Sequence, residues 1–496
     1  MNSTSLQPRR HLLDGATRVF LAEALIFPSG LIIVMFLTRK LGPEGYGHFT
    51  LAAVIVTWFE VIIASIFSRA TIKFVSETED WRSVGNIAIR LHLVISVAGA
   101  LLLFIFADAV AGLLSEPKLT TYLRLFAFDI PLFSLTGALR DVLIGKGGFR
   151  QRALLTAAQC LTRLILVLLL VQLGLSVPGA ILGSMGASLV GLIIGRYYIN
   201  ISPFSRSVFP ARQLFSYAVW LFLYSISIII YNKLDLLMFK ILGGTADQAG
   251  IYGAAQSLAI IPAIFSLSFT PLLLSTLSRM LREGDDRGAR ELGRDAMRIV
   301  IWMLPFAGMT AGASSEIVVL IFGQPFQSAA PLLTLLIFAA LFMLMISMAS
   351  AILTAAGKPV WTFALTGPLL PLALVGHLAL IPRLGALGAS LTNSLFAFLG
   401  AGAGVLAVFS IWRILPPLMT LARSIFICGV AFAVAALWPT PGFLLLLKLP
   451  IVVFFIIAAF KISGEFSAAD IALVRSILRR QPVIKPGQNP GQDPEA

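Results

Sequence analysis

Residues 329–354, AAPLLTLLIFAALFMLMISMASAILT, run for 26 positions without one ionisable side chain. At about 1.5 Å per residue, a helix of that length spans the ~30 Å hydrocarbon core of a bilayer. Similar apolar runs recur from residue 16 to residue 462. Only 12% of the 496 residues are charged and 58% are hydrophobic, about half the charge a water-facing surface carries. The expected fold is therefore an all-α polytopic membrane protein with about fourteen spans. The apolar run near 19–38 is too long for a signal peptide and ends in Arg-Lys, not in a small-residue cleavage site.

Working outward from these runs, the basic residues orient the chain. With a cytoplasmic N-terminus, 28 of the 37 lysines and arginines fall on the inner side and 7 on the outer, leaving Arg163 and Lys233 within spans. A missed span would exchange the sides of every later loop and spoil this bias, so both termini are expected to be cytoplasmic. The same distribution accounts for the net charge of +14 without nucleic acid. The longest internal connection, 277–299, reads as a solvated helix between two halves. The tail from Gln481 is rich in Pro, Gly and Gln and reads as disordered.

Several loop motifs recur in order. LGPEGYG (41–47) is echoed by LGGTADQAGIYG (242–253), Glu116-Pro117 by Gln324-Pro325, GKGG (145–148) by GKP (357–359), and GAILG (179–183) by GALGA (385–389). The offsets run from 201 to 212 residues. The repeat unit is six spans, an even number, so both halves enter the membrane in the same sense and are related by a pseudo-twofold along the membrane normal. The expected layout is a cytoplasmic N-terminus (1–15), an N-lobe of spans one to six (16–213), a C-lobe of spans seven to twelve (214–412), spans thirteen and fourteen (413–462) and a cytoplasmic, partly disordered tail (463–496).

Charges at membrane depth mark the candidate site, since each costs ~2.5–3.5 kcal/mol at the bilayer centre unless it faces water or a partner. Arg163 lies mid-way along span five, with Gln159 one turn before it; it pairs with a neighbour or meets an anionic substrate. Glu60 in span two and Glu23 in span one are candidate partners or proton carriers. Asn232 and Asp235 share a face of span seven, as a gate or cavity pair or as local helix partners. Arg18, Arg69 and Lys73 near inner span ends either snorkel to headgroups or form a cationic vestibule. His92, His377 and Asn393 read as polar groups satisfied by neighbouring helices. Spans thirteen and fourteen read as lipid-facing helices or as a side groove for a lipid tail. No P-loop, HExxH, GxSxG or CxxC pattern occurs, and Cys160 and Cys428 have no metal-ligand spacing. No catalytic constellation, cofactor or metal site is expected.

These residues carry a resemblance. TRKLGPEGYGHFTLA (38–52), Lys233-Leu-Asp235 followed by GIYGAAQSLA (250–259), IFG (321–323), AAGKP (355–359) and LIPRLGALGASL (380–391) resemble the bacterial polysaccharide transporters. These are the O-antigen and exopolysaccharide flippases of the multidrug/oligosaccharidyl-lipid/polysaccharide exporter superfamily. The resemblance implies two lobes around a cavity open alternately to each side of a bacterial inner membrane. It implies a polyprenyl-diphosphate-linked oligosaccharide as substrate and an H+ or Na+ gradient as driver. It also implies membrane lipids, a polysaccharide polymerase and glycosyltransferases as partners. Arg163 matches the cationic cavity of the family, with Arg18, Arg69 and Lys73 near its mouth. A cation-coupled multidrug exporter and a peptidoglycan-precursor flippase remain alternatives. A membrane glycosyltransferase or polymerase is disfavoured by the short outer loops.

Overall fold

A computed structural model of the chain describes residues 25–201, 233–440 and 442–465. Every regular element among the described residues is helical. Nine of the helices are long and apolar enough to cross a membrane, or ten if the bent pair Asp286–Gly312 and Ser314–Phe322 forms one span. The protein is therefore a multi-pass helical membrane protein.

Two of these helices are far longer than a bilayer is thick, and glycines divide them. Helix α1 (Ile26–Glu77) breaks at Gly42, whose φ of 67° precedes Pro43; the ring both sterically limits the residue before it and removes a backbone donor. Helices α5 (Phe149–Leu170) and α6 (Ser176–Tyr198) are joined by a π-helical turn, Val171–Leu175, in which Gly174 takes a φ of 91°. Both breaks occur in the left-handed region, which glycine enters without steric cost.

Between them stand α2 (Trp81–Leu113), α3 (Lys118–Ala127) and α4 (Asp129–Gly145). Helix α1 packs on α4, α2 and α3, and α5 packs along α6, giving an N-terminal group. The C-terminal group comprises α7 (Ala246–Ala259), α8 (Ile261–Arg282), α9 (Asp286–Trp302), α10 (Leu304–Gly312), α11 (Ser314–Phe322), α12 (Ala330–Ala355), α13 (Pro359–Thr366), α14 (Leu369–Leu384) and α15 (Ala386–Trp412). It is built around α12, which packs on α15, α8 and α10. The two groups meet chiefly where α1 lies along α7.

Residues 277–299 form the end of α8 and most of α9, an amphipathic helix: residues 282–287, Arg290, Glu291, Arg294 and Asp295 are exposed, while Ala289, Gly293, Ala296, Met297, Val300 and Ile301 are buried against α12 and α16. Asp285 caps it by accepting from the Gly288 amide.

Helices α16 (Leu418–Leu437) and α17 (Leu445–Ile462) attach to the C-terminal group at three depths. At one end Lys448 Nζ meets Glu316 Oε2 at 2.7 Å, and the Thr440 amide donates to Glu316 Oε1 at 2.8 Å. In the middle, Gly308 and Gly312 of α10 lie against the Cys428 and Phe432 carbonyls of α16, where a Cβ would collide; small residues four apart allow such backbone approach in membranes. At the other end Glu465 binds Arg298 and Arg423 at 3.0 Å each.

Candidate functional site

The mid-depth cluster is built by α1, α4, α5 and α6. Helical geometry places Arg163 about 180° around α5 from Leu154, and Leu161 and Ile165 lie within about 20° of Leu154. These three apolar side chains are exposed, as expected of a lipid face. Arg163 is exposed as well, on the opposite side of the helix. An exposed cation there opens towards the interior of the bundle.

Two buried carboxyl groups stand in electrostatic contact with it. Glu60 on α1 is 7% exposed and Asp129, which begins α4, is 4% exposed. They stand side by side, with Ser188 of α6 next to Asp129. Two buried carboxyl groups thus share one arginine as their neighbouring positive charge. Glu60 Oε1 and Asp129 Oδ1 have no hydrogen-bond partner and are free to accept one. Gln159 is half-buried and packs where Gly191 of α6 leaves room, one turn from Arg163 on the same helix.

Asp129 and Asp141 were missed as site residues. Asp129 comes beside Glu60 where α4 packs on α1. Asp141, 8% exposed, sits beside Ser68 and in the field of Arg140 and Arg152. Nearer the arginine-rich end, Lys146 lies 3.7 Å from the Trp81 ring centre and Lys73 lies 5.6 Å from that of Phe74. Glu23, Arg18 and Asn232 lie outside the described residues, as does the side chain of Arg69.

Asp235 is placed elsewhere. It is 1% exposed and accepts from Tyr252 Oη and Gln256 Nε2 at 2.6 Å each, from Asn393 Nδ2, and from the Leu236 amide at 2.8 Å. That arrangement joins residues 233–241 to α7 and α15; it is a packing hub within the C-terminal group, apart from Arg163. Asn393 is satisfied there, and His92 donates to or accepts from Ser134 at 2.9 Å.

The charge-poor end is pinned shut between the two groups. Glu116 accepts from Lys240 at 2.8 Å and contacts His48 Nε2 at 3.0 Å. Burial works against the Glu116 charge, but the hydrogen bonds from Lys240 and His48 outweigh it and hold the carboxyl below its ordinary range. Arg39 donates to the carbonyls of Leu320 and Ile321 at the end of α11, a favourable site for a cation. Lys118 and Arg124 pair with Glu44 and Asp108. Most cations at this end are thus consumed by local structure, which the bare count of basic residues could not reveal.

The family described as polysaccharide biosynthesis protein matches residues 12–279, more than half of the chain. The chain belongs to this family. Among curated proteins, it is 26% identical to the succinoglycan biosynthesis transport protein ExoT of Rhizobium meliloti, over 64% of this chain and 63% of that one. It is 24% identical to the probable flippase AglR of Haloferax volcanii, over 82% and 85%. It is 25% identical to a putative O-antigen transporter of Shigella flexneri, over 48% and 60%. The chain thus spans less than two thirds of the Rhizobium and Shigella proteins. In fold it is similar to the lipid II flippase MurJ in an inward closed conformation (TM-score 0.73, 14% identity, 93% of this chain and 98% of that one). It is also similar to an inward-facing multidrug resistance MATE transporter (0.61, 15%, 78% and 95%). These relatives and neighbours are transporters and flippases, not enzymes.

Proposed function

We propose that the protein flips polyprenyl-diphosphate-linked oligosaccharide repeat units from the inner to the outer leaflet of a bacterial cytoplasmic membrane, by alternating access, for surface polysaccharide synthesis. The observation that carries this reading is Arg163: a mid-depth guanidinium exposed on the interior side of α5, beside a buried carboxyl pair. A sugar headgroup and diphosphate cannot cross hydrocarbon unaided, because each unsatisfied polar group costs several kcal/mol there. An interior cation offers the diphosphate a counter-charge while the polyprenyl tail stays in lipid.

In this reading fourteen spans form two six-span lobes related by a parallel repeat, with two further helices carried by the C-lobe and both termini cytoplasmic. The coupling element in this reading is a proton carried by the neighbouring carboxyl groups of Glu60 and Asp129. Diphosphate binding to Arg163 withdraws its positive charge from the pair, which favours keeping the proton; substrate release reverses this. The gradient ion is accordingly H+. The polymerase and glycosyltransferases of the pathway are the natural partners.

Deletion of the gene tests the proposal. The expected result is loss of surface polysaccharide, with lipid-linked repeat units accumulating on the cytoplasmic face. Unchanged glycan with raised drug sensitivity would assign the protein to the multidrug exporters, and arrested peptidoglycan synthesis would make it a precursor flippase.

A further inference from the structure

The arginine-rich end carries a second cationic pocket, remote from Arg163. Arg294 of α9 and Arg413, which caps α15, face a cavity of about 540 Å³ whose apolar wall includes Ile414, Leu415, Leu418 and Met419. Neither guanidinium forms an ion pair or hydrogen bond among the described residues, Arg413 lying only over the Phe409 ring at 5.7 Å, whereas Arg287, Arg298 and Arg423 nearby are all paired. Arg413 sits in the left-handed region, φ 55° and ψ 31°, where a non-glycine residue persists only when the surrounding structure holds it there. Pro416 and Pro417 stiffen the connection, and at Gly293 the absent Cβ lets Trp412 and Ile414 close on α9. The two guanidinium groups are thereby brought to one opening.

We infer that this pocket binds the phosphate of an anionic phospholipid from the adjacent leaflet. The wall selects an amphiphile: Leu418 and Met419 are 69% and 67% exposed at the start of a transmembrane helix. Two unpaired arginines at that level match one phosphodiester and its acyl chain. A zwitterionic headgroup brings its own cation and gains less. The site lies in the C-terminal group, so its occupancy is independent of what the transporter carries.

Native mass spectrometry of the purified full-length protein, titrated with phosphatidylglycerol or phosphatidylethanolamine, tests this. Wild type is expected to retain phosphatidylglycerol selectively. The double variant Arg294→Gln/Arg413→Gln should lose about fivefold in affinity per arginine and fall to the phosphatidylethanolamine level. Met419→Asp, which leaves both arginines intact, should also weaken binding. The charge-matched control Arg279→Gln/Arg282→Gln, at the same end, should change little. Equal loss in the control would mean diffuse surface attraction and overturn the pocket. Retention unchanged in the double variant, or displacement by polyprenyl diphosphate but not by phosphatidylglycerol, would overturn the phospholipid assignment.

Discussion

Gly47 of α1 and Gly250 of α7 meet backbone to backbone across the two groups: a Cβ on Gly47 would overlap the Ala246 carbonyl, and one on Gly250 the Pro43 carbonyl. Both glycines belong to the repeated loop motifs, so the two copies of the repeat close the charge-poor end on each other. Tyr46 reinforces the closure, 3.4 Å from Ser257 Oγ and edge-on to Phe326. Side chains as small as methyl are excluded.

Gly47→Ala should therefore hold this end open. Overpacking of this kind costs about 1–3 kcal/mol, about tenfold or more in the closed population. Spin labels at Lys40 and Asp247 should move apart, and transport should fall by about tenfold or more at unchanged protein level. An unaltered label distance would show that the contact does not govern closure.

The ionic contact beside it gives a pH dependence with a defined sign. Glu116 titrates below the ordinary glutamate value of about 4.5 because Lys240 and His48 favour its charged form. Its contribution to closure is complete above that value and is lost as pH falls through the lower, folded one. The same label pair should report opening as the pH is taken below the ordinary glutamate value. Glu116→Gln should report it already at neutral pH; an acid response of undiminished size in that variant would place the titrating group elsewhere.

Depth was legible in the sequence and azimuth was not. Apolar run length gave membrane-length helices because one dimension, the bilayer thickness, sets it. It set the expectation that Arg163 and Glu60 lie at mid-depth for the same reason. What a helix faces depends on how helices cross: Asp129 joins Glu60 because α4 packs on α1, and Asp235 turns to Tyr252, Gln256 and Asn393 because residues 233–241 pack on α7 and α15. Hydropathy carries no signal for either. The repeated glycines were visible as loops, but their mutual contact needed both halves in place.

Glu465 should act as the clamp for α16 and α17. It is 4% exposed as a residue, and although burial raises its pKa, bonds from Thr420, Arg423, Arg298 and Trp302 outweigh that and lower it. Glu465→Ala leaves Arg298 and Arg423, both partly exposed, without their carboxylate, at a cost of about 1–3 kcal/mol. The thermal midpoint in detergent should fall by a few degrees, and by less in Glu465→Gln. The exposed pair Arg287–Glu291 is the control: Arg287→Ala should be silent.

Arg163 and Asp235, both charged at membrane depth, should separate by phenotype. Arg163 is open to the interior and its removal breaks no buried hydrogen bond among the described residues, so Arg163→Ala should abolish transport while leaving protein level and thermal midpoint near wild type. Arg163→Lys should recover part of it, since a point charge lacks the planar fork that grips phosphate. Asp235→Ala does the opposite. It strips Tyr252, Gln256 and Asn393 of a shared buried acceptor, a loss of about 1–3 kcal/mol, so the folded yield should drop while transport per folded molecule is kept. Quantifying membrane-inserted protein beside lipid-linked repeat-unit translocation distinguishes the two. If Asp235→Ala folds normally and fails to transport, the hub is part of the substrate path; if Arg163→Ala transports normally, the interior cation is not what the diphosphate needs.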